Sequence, residues 1–171
     1  MRQAFSRAPL GAKARAPVSS ETQSAWRRYL AAASPSASID RLRRWLGVDY
    51  ETFYGHPAIG VAAMAFCFPG TNPKGGDFPP PARCAQLWRP RLLERLPNVE
   101  LTLLVGGYAQ GWALEGGGSM TDTVRRWREF LPHYLPLPHP SWRNTAWLKK
   151  NPWFEEEVTP WLRARVAEML A

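Results

Sequence analysis

Short apolar runs alternate with helical segments over residues 58–170, and this alternation leaves few folds open to the chain. The runs AIGVAAMAF (58–66), VELTLLVGG (99–107) and HYLPL (133–137) have the length of strands. Apolar residues at helical spacing separate and follow them. This pattern is typical of a sheet covered by helices on both faces. We therefore predict a three-layer α/β/α sandwich with a mainly parallel central sheet.

Three loops leave the predicted strands, over residues 67–83, 106–107 and 138–150. Ligands of parallel α/β sheets bind outside the carboxyl ends of the strands. The first loop is long and rich in proline and glycine, and long loops inside compact domains are usually functional or disordered. We therefore expect the three loops to line one cleft.

The amino-terminal segment differs in composition from the rest of the chain. Residues 1–20 lack any apolar period, and a helix is predicted over about 21–32 after Ser20. A second helix starts at Ile39 and ends before Gly47. We predict a divergent, basic and partly disordered segment over 1–38 and a single domain over 39–171.

The net charge of the chain is +8 and its pI is about 10.1. Half of this excess positive charge falls in the first forty residues. A basic tail of this kind either binds a polyanion or is merely a solvated segment. A strongly basic chain favours a polyanionic partner, with nucleic acid first. No apolar run reaches the roughly 18 residues that span a bilayer. We expect a cytoplasmic monomer that binds DNA and no membrane.

The two cysteines, Cys67 and Cys84, flank the long proline-rich loop. Two cysteines are too few for a disulfide framework. They are either buried thiols or part of a metal site whose other ligands lie elsewhere, and the residues alone leave both possibilities open.

The stretch LPLPHPSWRN, residues 135–144, holds three prolines and one histidine. Proline fixes φ and lacks the backbone donor, so this stretch cannot continue a helix or lie inside a sheet. It therefore predicts a rigid loop that holds His139 between Pro138 and Pro140. A histidine in such a loop is either a surface residue or a catalytic group.

From about Arg41 onward, the chain resembles the uracil-DNA glycosylase superfamily, and specifically its bacterial iron–sulfur branch. The stretches that carry the resemblance are RLRRWLGV, MAFCFPGTNPKGGDFPPPARC, LTLLVGGYAQ and LPLPHPSWRNTAWLKKNPWFEEEV. The resemblance implies a glycosylase-like fold. It also implies that the His-Pro-Ser loop enters the minor groove beside a base that is rotated out of the duplex.

In such an enzyme, water replaces the base at the sugar C1′ atom, and negative charge develops on the departing uracil. The resemblance implies that His139 donates a hydrogen bond to the uracil O2 and stabilises this charge. It assigns DNA contacts to the residues that follow in the loop and in the next helix: Ser141, Trp142, Arg143, Asn144, Lys149 and Lys150.

The resemblance also implies a [4Fe–4S] cluster, which needs four thiolate ligands. Cys67 and Cys84 match two of these ligands, and the chain has no other cysteine. We therefore expect the cluster to be absent or incomplete.

Several positions depart from the family pattern. The amino-terminal cysteine pair and the Gly-Gln/Glu-Ala-Pro-Gly turn that positions water are not recognisable, so the first strand is expected to be missing or replaced by residues 1–20. Ala63 stands where many relatives carry an asparagine that reads the uracil edge. Trp142 stands where they carry proline, and it either stacks at the gap left by the flipped base or packs on the surface.

These features give two interpretations of function. The first is a DNA repair glycosylase that removes uracil, or a related deaminated base, by hydrolysis of the N-glycosidic bond. The alternative is a non-catalytic, DNA-binding remnant of the same fold. The stretch GGYAQG matches neither a dinucleotide-binding fingerprint nor a phosphate-binding P-loop, so nucleotide binding of these two kinds is not predicted.

Overall fold

The computed structural model describes residues 2–6, 37–65, 69–74, 78–115 and 118–171. For residues 2–6 it describes the backbone alone. The chain divides into two compact units. The first, which we call the sheet unit, contains residues 2–6 and the described part of 60–138. The second, the helical unit, contains the described parts of 7–59 and 139–171. The predicted helix over 21–32 lies outside the described residues.

Within the described residues, four strands form one sheet, in the order β2-β1-β3-β4. Their bounds are β1 Arg2–Ser6, β2 Ile59–Ala62, β3 Val99–Val105 and β4 Tyr134–Leu137. The strands β3 and β4 run parallel, with Thr102 opposite Tyr134. All three apolar runs of the sequence therefore contain strands, although β2 is shorter than the run that predicts it.

The strand β1 bears on the expectation that the first strand is missing or replaced by residues 1–20. Residues 2–6 pair with β3 and lie between β2 and β3. This pairing is antiparallel, whereas β3 and β4 are parallel, so the sheet of the described residues contains both kinds of pairing. The segment RQAFS has no strong strand pattern of its own. Its conformation comes from backbone hydrogen bonds to a distant strand, which local propensity does not report.

Helices follow β2 and β3 in the sheet unit. They are α3 Ala82–Glu94, α4 Gly107–Ala113 and α5 Met120–Arg125, with a 3-10 turn over Trp127–Phe130. One buried cluster joins Met64, Ala85, Leu104 and Ala109. The side chains of Leu103, Leu135 and Leu137 are also fully buried. Both predicted strands of this core, β3 and β4, are thus buried along most of their length, as their apolar runs indicate.

The helical unit holds α1 Ala37–Leu46, α2 Tyr50–Gly55, α6 Thr145–Lys150 and α7 Thr159–Leu170. A short 3-10 turn spans Trp142–Asn144, and a π-helical turn spans Phe154–Val158. The aromatic rings of Trp45 and Phe154 meet edge to face at 5.0 Å. Arg163 on α7 donates two hydrogen bonds to the Arg44 carbonyl at the end of α1. These contacts hold α1 against the carboxyl-terminal helices.

No helix within the described residues combines the length and the apolar character needed to cross a bilayer.

Candidate functional site

His139 opens a tight turn at the start of the second part of the helical unit. The Ser141 backbone N–H donates to His139 Nδ1 at 3.2 Å. A nitrogen that accepts a hydrogen bond carries no proton, so this contact assigns the proton of the neutral ring to Nε2. His139 is solvent-exposed, whereas Pro140 beside it is buried. The turn therefore presents an Nε2–H donor at the surface.

The protonation state of His139 follows from its surroundings. Partial withdrawal of the ring from water lowers the pKa of His139 below its ordinary value of 6.5, because desolvation disfavours the charged imidazolium. The neutral ring therefore predominates at pH 7. Protonation at Nδ1 would also remove the acceptor that Ser141 uses. A neutral donor is sufficient for hydrogen bonding to a developing anion.

Asn144 closes the turn from its other end. Its Nδ2 donates to the His139 carbonyl at 2.7 Å, and its backbone N–H donates to the Ser141 carbonyl at 3.1 Å. The prolines on both sides of His139 restrict the backbone further. The loop is thus held by its own hydrogen bonds. Asn144 stabilises the turn, which is a structural role beside the DNA contact predicted for it.

Arg41 on α1 connects the His139 loop to α1 within the helical unit, and the sequence does not predict this role. Its Nη1 donates to the Ser141 carbonyl at 3.0 Å, and its Nη2 donates to Thr145 Oγ1 at 3.2 Å. A planar guanidinium offers two donors in a fixed geometry, which suits such a two-point anchor. Arg41 is one of three arginines in RLRR, and no sequence signal separates it from its neighbours.

The predicted DNA-binding residues divide into two groups. Trp142 is 74% exposed, and the Arg143 guanidinium lies 5.6 Å from the centroid of its ring. Ser141 and Asn144 belong to the same turn. Lys149 and Lys150 lie at the other end of α6, in its last turn, and both are exposed. The turn therefore combines a hydrogen-bond donor, an exposed indole and a cation.

A second arginine that sequence reasoning missed lies in the sheet unit. Arg89 on α3 is fully buried, and its Nη1 donates to the Ala63 carbonyl at 3.0 Å and contacts Met64 Sδ at 3.2 Å. Its guanidinium lies 4.6 Å from the centroid of the Trp112 ring. Among the described residues, its Nε and Nη2 find no hydrogen-bond partner. Burial lowers the pKa of Arg89, because the charged group is withdrawn from water.

The two cysteines are the residues that the resemblance assigns to an iron–sulfur cluster. Cys67 lies outside the described residues, and Cys84 is half-buried in the first turn of α3 rather than in the preceding loop. Across the described parts of the chain, no group of three or more His, Cys, Asp or Glu side chains is placed to hold a metal ion. Two thiolates do not fit a site that needs four.

The predicted convergence of the three loops stays a prediction. The loop over 67–83 is described only at residues 69–74 and 78–83. Within that part, the Phe78 N–H donates to the Gly70 carbonyl at 2.9 Å.

A comparison with protein-family models identifies a relationship over nearly the whole chain. The model of the uracil DNA glycosylase superfamily matches residues 5–163. The motifs show the resemblance only from about Arg41 onward, whereas the family model matches from residue 5. It does not distinguish the branches of the superfamily.

Proposed function

Because the chain belongs to the uracil DNA glycosylase superfamily, we propose that it hydrolyses the N-glycosidic bond between uracil and deoxyribose in DNA. Water supplies the oxygen that bonds to C1′. The base leaves with the electron pair of the broken bond, and the proton released from water balances the charge of the products. A group that stabilises the departing base as it becomes negative lowers the barrier.

The observation that carries this proposal is the state of His139. Its Nδ1 accepts from Ser141, so its Nε2–H is the available donor, and the lowered pKa of His139 favours the neutral ring. Because the Arg41 and Asn144 hydrogen bonds hold the turn in place, the donor needs little reorganisation when charge develops. A prepositioned donor of this kind contributes about 3–4 kcal/mol to catalysis.

The exposed groups around His139 support DNA as the substrate. Arg143 and the two lysines at the end of α6 supply positive charge for phosphates. The exposed indole of Trp142 is suited to stack on a base or to fill the gap left by a flipped nucleotide. We propose that these groups hold the duplex while the base rotates outward. Extrusion requires the least energy at a mismatch such as U·G.

The direct test is the release of uracil from a labelled duplex that contains a single U·G pair, followed by alkaline cleavage at the abasic site. We expect cleavage by the wild-type chain, and a rate about 10²–10³-fold lower for His139→Ala. His133→Ala is the matched control, because His133 is an exposed histidine outside the turn. Equal rates for the wild type and His139→Ala would contradict the proposed role of His139.

The alternative function, a non-catalytic DNA-binding remnant, is favoured by one position. Ala63 has no side-chain group that hydrogen-bonds a base edge, and its backbone carbonyl already accepts from Arg89. A site that lacks such bonds loses discrimination between bases. This function predicts salt-dependent DNA binding without base release. It also predicts that replacing Arg143, Lys149 and Lys150 by glutamine weakens binding and lowers its salt dependence.

We also propose, from the motifs alone, that the chain belongs to the iron–sulfur branch of the superfamily. The mechanism above uses no cluster, because two cysteines do not fit one. Iron analysis of the purified chain tests this point. Stoichiometric iron would require that a second chain completes the ligand set.

A further inference from the structure

The outward side of α3 carries apolar and cationic side chains that the proposed function does not use. Leu87 and Trp88 are 51% and 50% exposed. Arg91 and Arg95 are also exposed, and they follow Trp88 by three and seven residues. This spacing places Trp88, Arg91 and Arg95 along one side of the helix. We call Trp88, Arg91 and Arg95, the last of which caps the helix, the α3 stripe, and Leu87 is exposed next to it.

The α3 stripe is not the core-facing side of the helix. Ala85 and Arg89 are the buried residues of α3, and the helical period turns them on average about 100° away from Trp88, Arg91 and Arg95. Within the sheet unit, the helix thus has its own buried side and leaves an indole and a leucine in water. Clustered exposed apolar groups of this kind mark interaction surfaces more often than isolated ones do.

The charges of the stripe indicate the chemistry of its partner. The Arg91 guanidinium lies 5.4 Å from the centroid of the Trp88 ring. Arg83 is exposed near the start of the same helix, and Glu94 is the only acidic residue of α3. A surface that alternates cations with a flat aromatic ring complements a polyanion that carries flat rings, which is a nucleic acid.

We propose that the α3 stripe binds single-stranded nucleic acid, with one base stacked on Trp88 and neighbouring phosphates paired with Arg91 and Arg95. A single strand is required because the faces of bases inside a duplex are already stacked on their neighbours. The proposal deepens the proposed function and rests on it for DNA as the polymer. The stripe lies on the sheet unit, whereas His139 lies on the helical unit.

The test measures binding of a fluorescent, uracil-free oligothymidylate by anisotropy at several salt concentrations between about 50 and about 200 mM. We expect Trp88→Ala to weaken binding roughly tenfold, because it removes a stacking platform. Trp88→Phe should retain most of the affinity. Arg91→Gln should weaken binding and reduce the slope of log K against log salt by about one.

Tyr108→Ala is the matched aromatic control. Tyr108 is 60% exposed on α4 of the same unit, outside the stripe, and its loss should leave binding unchanged. Equal binding by the wild type and Trp88→Ala, with circular dichroism spectra alike, would overturn the proposal. Weaker binding of a polyglutamate peptide by Trp88→Ala, with oligothymidylate binding intact, would overturn it in favour of an acidic protein segment.

Uracil release by the same variants distinguishes the two proposals. Trp88-dependent binding by a wild-type chain that releases no uracil would reject the glycosylase function and keep the stripe. Uracil release with Trp88-independent binding of the oligothymidylate would do the opposite.

Discussion

Arg41 and Arg89 both donate from a helix to a main-chain carbonyl, but their surroundings differ. Arg41 is half-buried, and its two terminal nitrogens pair with Ser141 and Thr145. Arg89 is fully buried, and within the part of the chain that the structure describes it pairs through Nη1 alone and leaves Nε and Nη2 without partners. Unpaired donors in the interior reduce stability, because the protein does not replace the hydrogen bonds lost to water.

The difference teaches how the same side chain serves two purposes. At Arg41 the guanidinium connects α1 to the loop that carries His139 and to the start of α6. At Arg89 the guanidinium fills space between α3, α4 and the end of β2, where it lies over the Trp112 ring. We therefore expect loss of Arg41 to lower the rate of uracil release. Replacement of Arg89 by an apolar residue should instead raise the free energy of unfolding.

The largest effect is expected for Arg41→Ala. Loss of both anchors lets the turn move, and displacement of a catalytic group by about 1 Å lowers rates by roughly a hundredfold. Uracil release under single-turnover conditions measures this effect, and Arg41→Lys should restore part of the rate. Arg44→Ala, an exposed position on the same helix, is the control. A rate for Arg41→Ala within twofold of the wild type would show that the anchor is dispensable.

Arg89→Met is expected to raise the free energy of unfolding by about 1 kcal/mol. Methionine keeps an unbranched apolar chain and removes a buried charge, and replacing buried charges with apolar groups is often neutral or stabilising. The gain is reduced because the Ala63 carbonyl loses its donor. Urea unfolding measures the change, with Arg91→Met on the exposed side as control. Strong destabilisation by Arg89→Met alone would show that its unpaired donors are satisfied in solution.

A smaller effect isolates one half of the Arg41 anchor. Thr145→Val removes the acceptor of the Arg41 Nη2 group and keeps the side-chain shape. We therefore expect the free energy of unfolding, measured in urea, to fall by about 0.5–1.5 kcal/mol. A double-mutant cycle with Arg41→Ala should give a coupling energy of about the same size. Additive effects of the two substitutions would mean that the 3.2 Å contact contributes nothing measurable.

The smallest expected change is in the titration of His139. Its folded pKa is lowered, so the neutral ring contributes stability that is present above the ordinary value of 6.5 and is lost as the pH falls through the folded pKa. Nuclear magnetic resonance should show a His139 midpoint below 6.5, with the Ser141 amide moving at the same midpoint because protonation breaks their hydrogen bond. A midpoint above 6.5 would contradict the assigned desolvation.

Local patterns in the sequence account for much of the fold. The runs that contain β3 and β4, the helices after them, and the helix ended by Gly47 follow from apolar spacing and from residues that start or stop helices. Gly47 has φ of +71°, a conformation that other residues adopt rarely. The proline-rich turn at His139 was also visible, because proline restricts its own backbone wherever it lies.

Contacts between distant residues were not visible in the sequence. Arg41 and Ser141 are separated by 100 positions, and nothing in RLRR marks the first arginine as the one that pairs. Arg89 occupies a position on α3 that its charge would assign to the surface. The strand β1 likewise depends on its pairing with β3, in which Arg2 lies opposite the distant residue Leu104.

By itself, the sequence determined where the backbone of this protein turns, and it placed a stiff histidine loop after a buried strand, because these properties depend on neighbouring residues. Only the tertiary structure decided which nitrogen of His139 carries the proton, which arginine holds the loop, and which arginine is buried without full pairing. Those outcomes depend on hydrogen bonds and desolvation, which arise when residues far apart in the chain come within about 3 Å of each other.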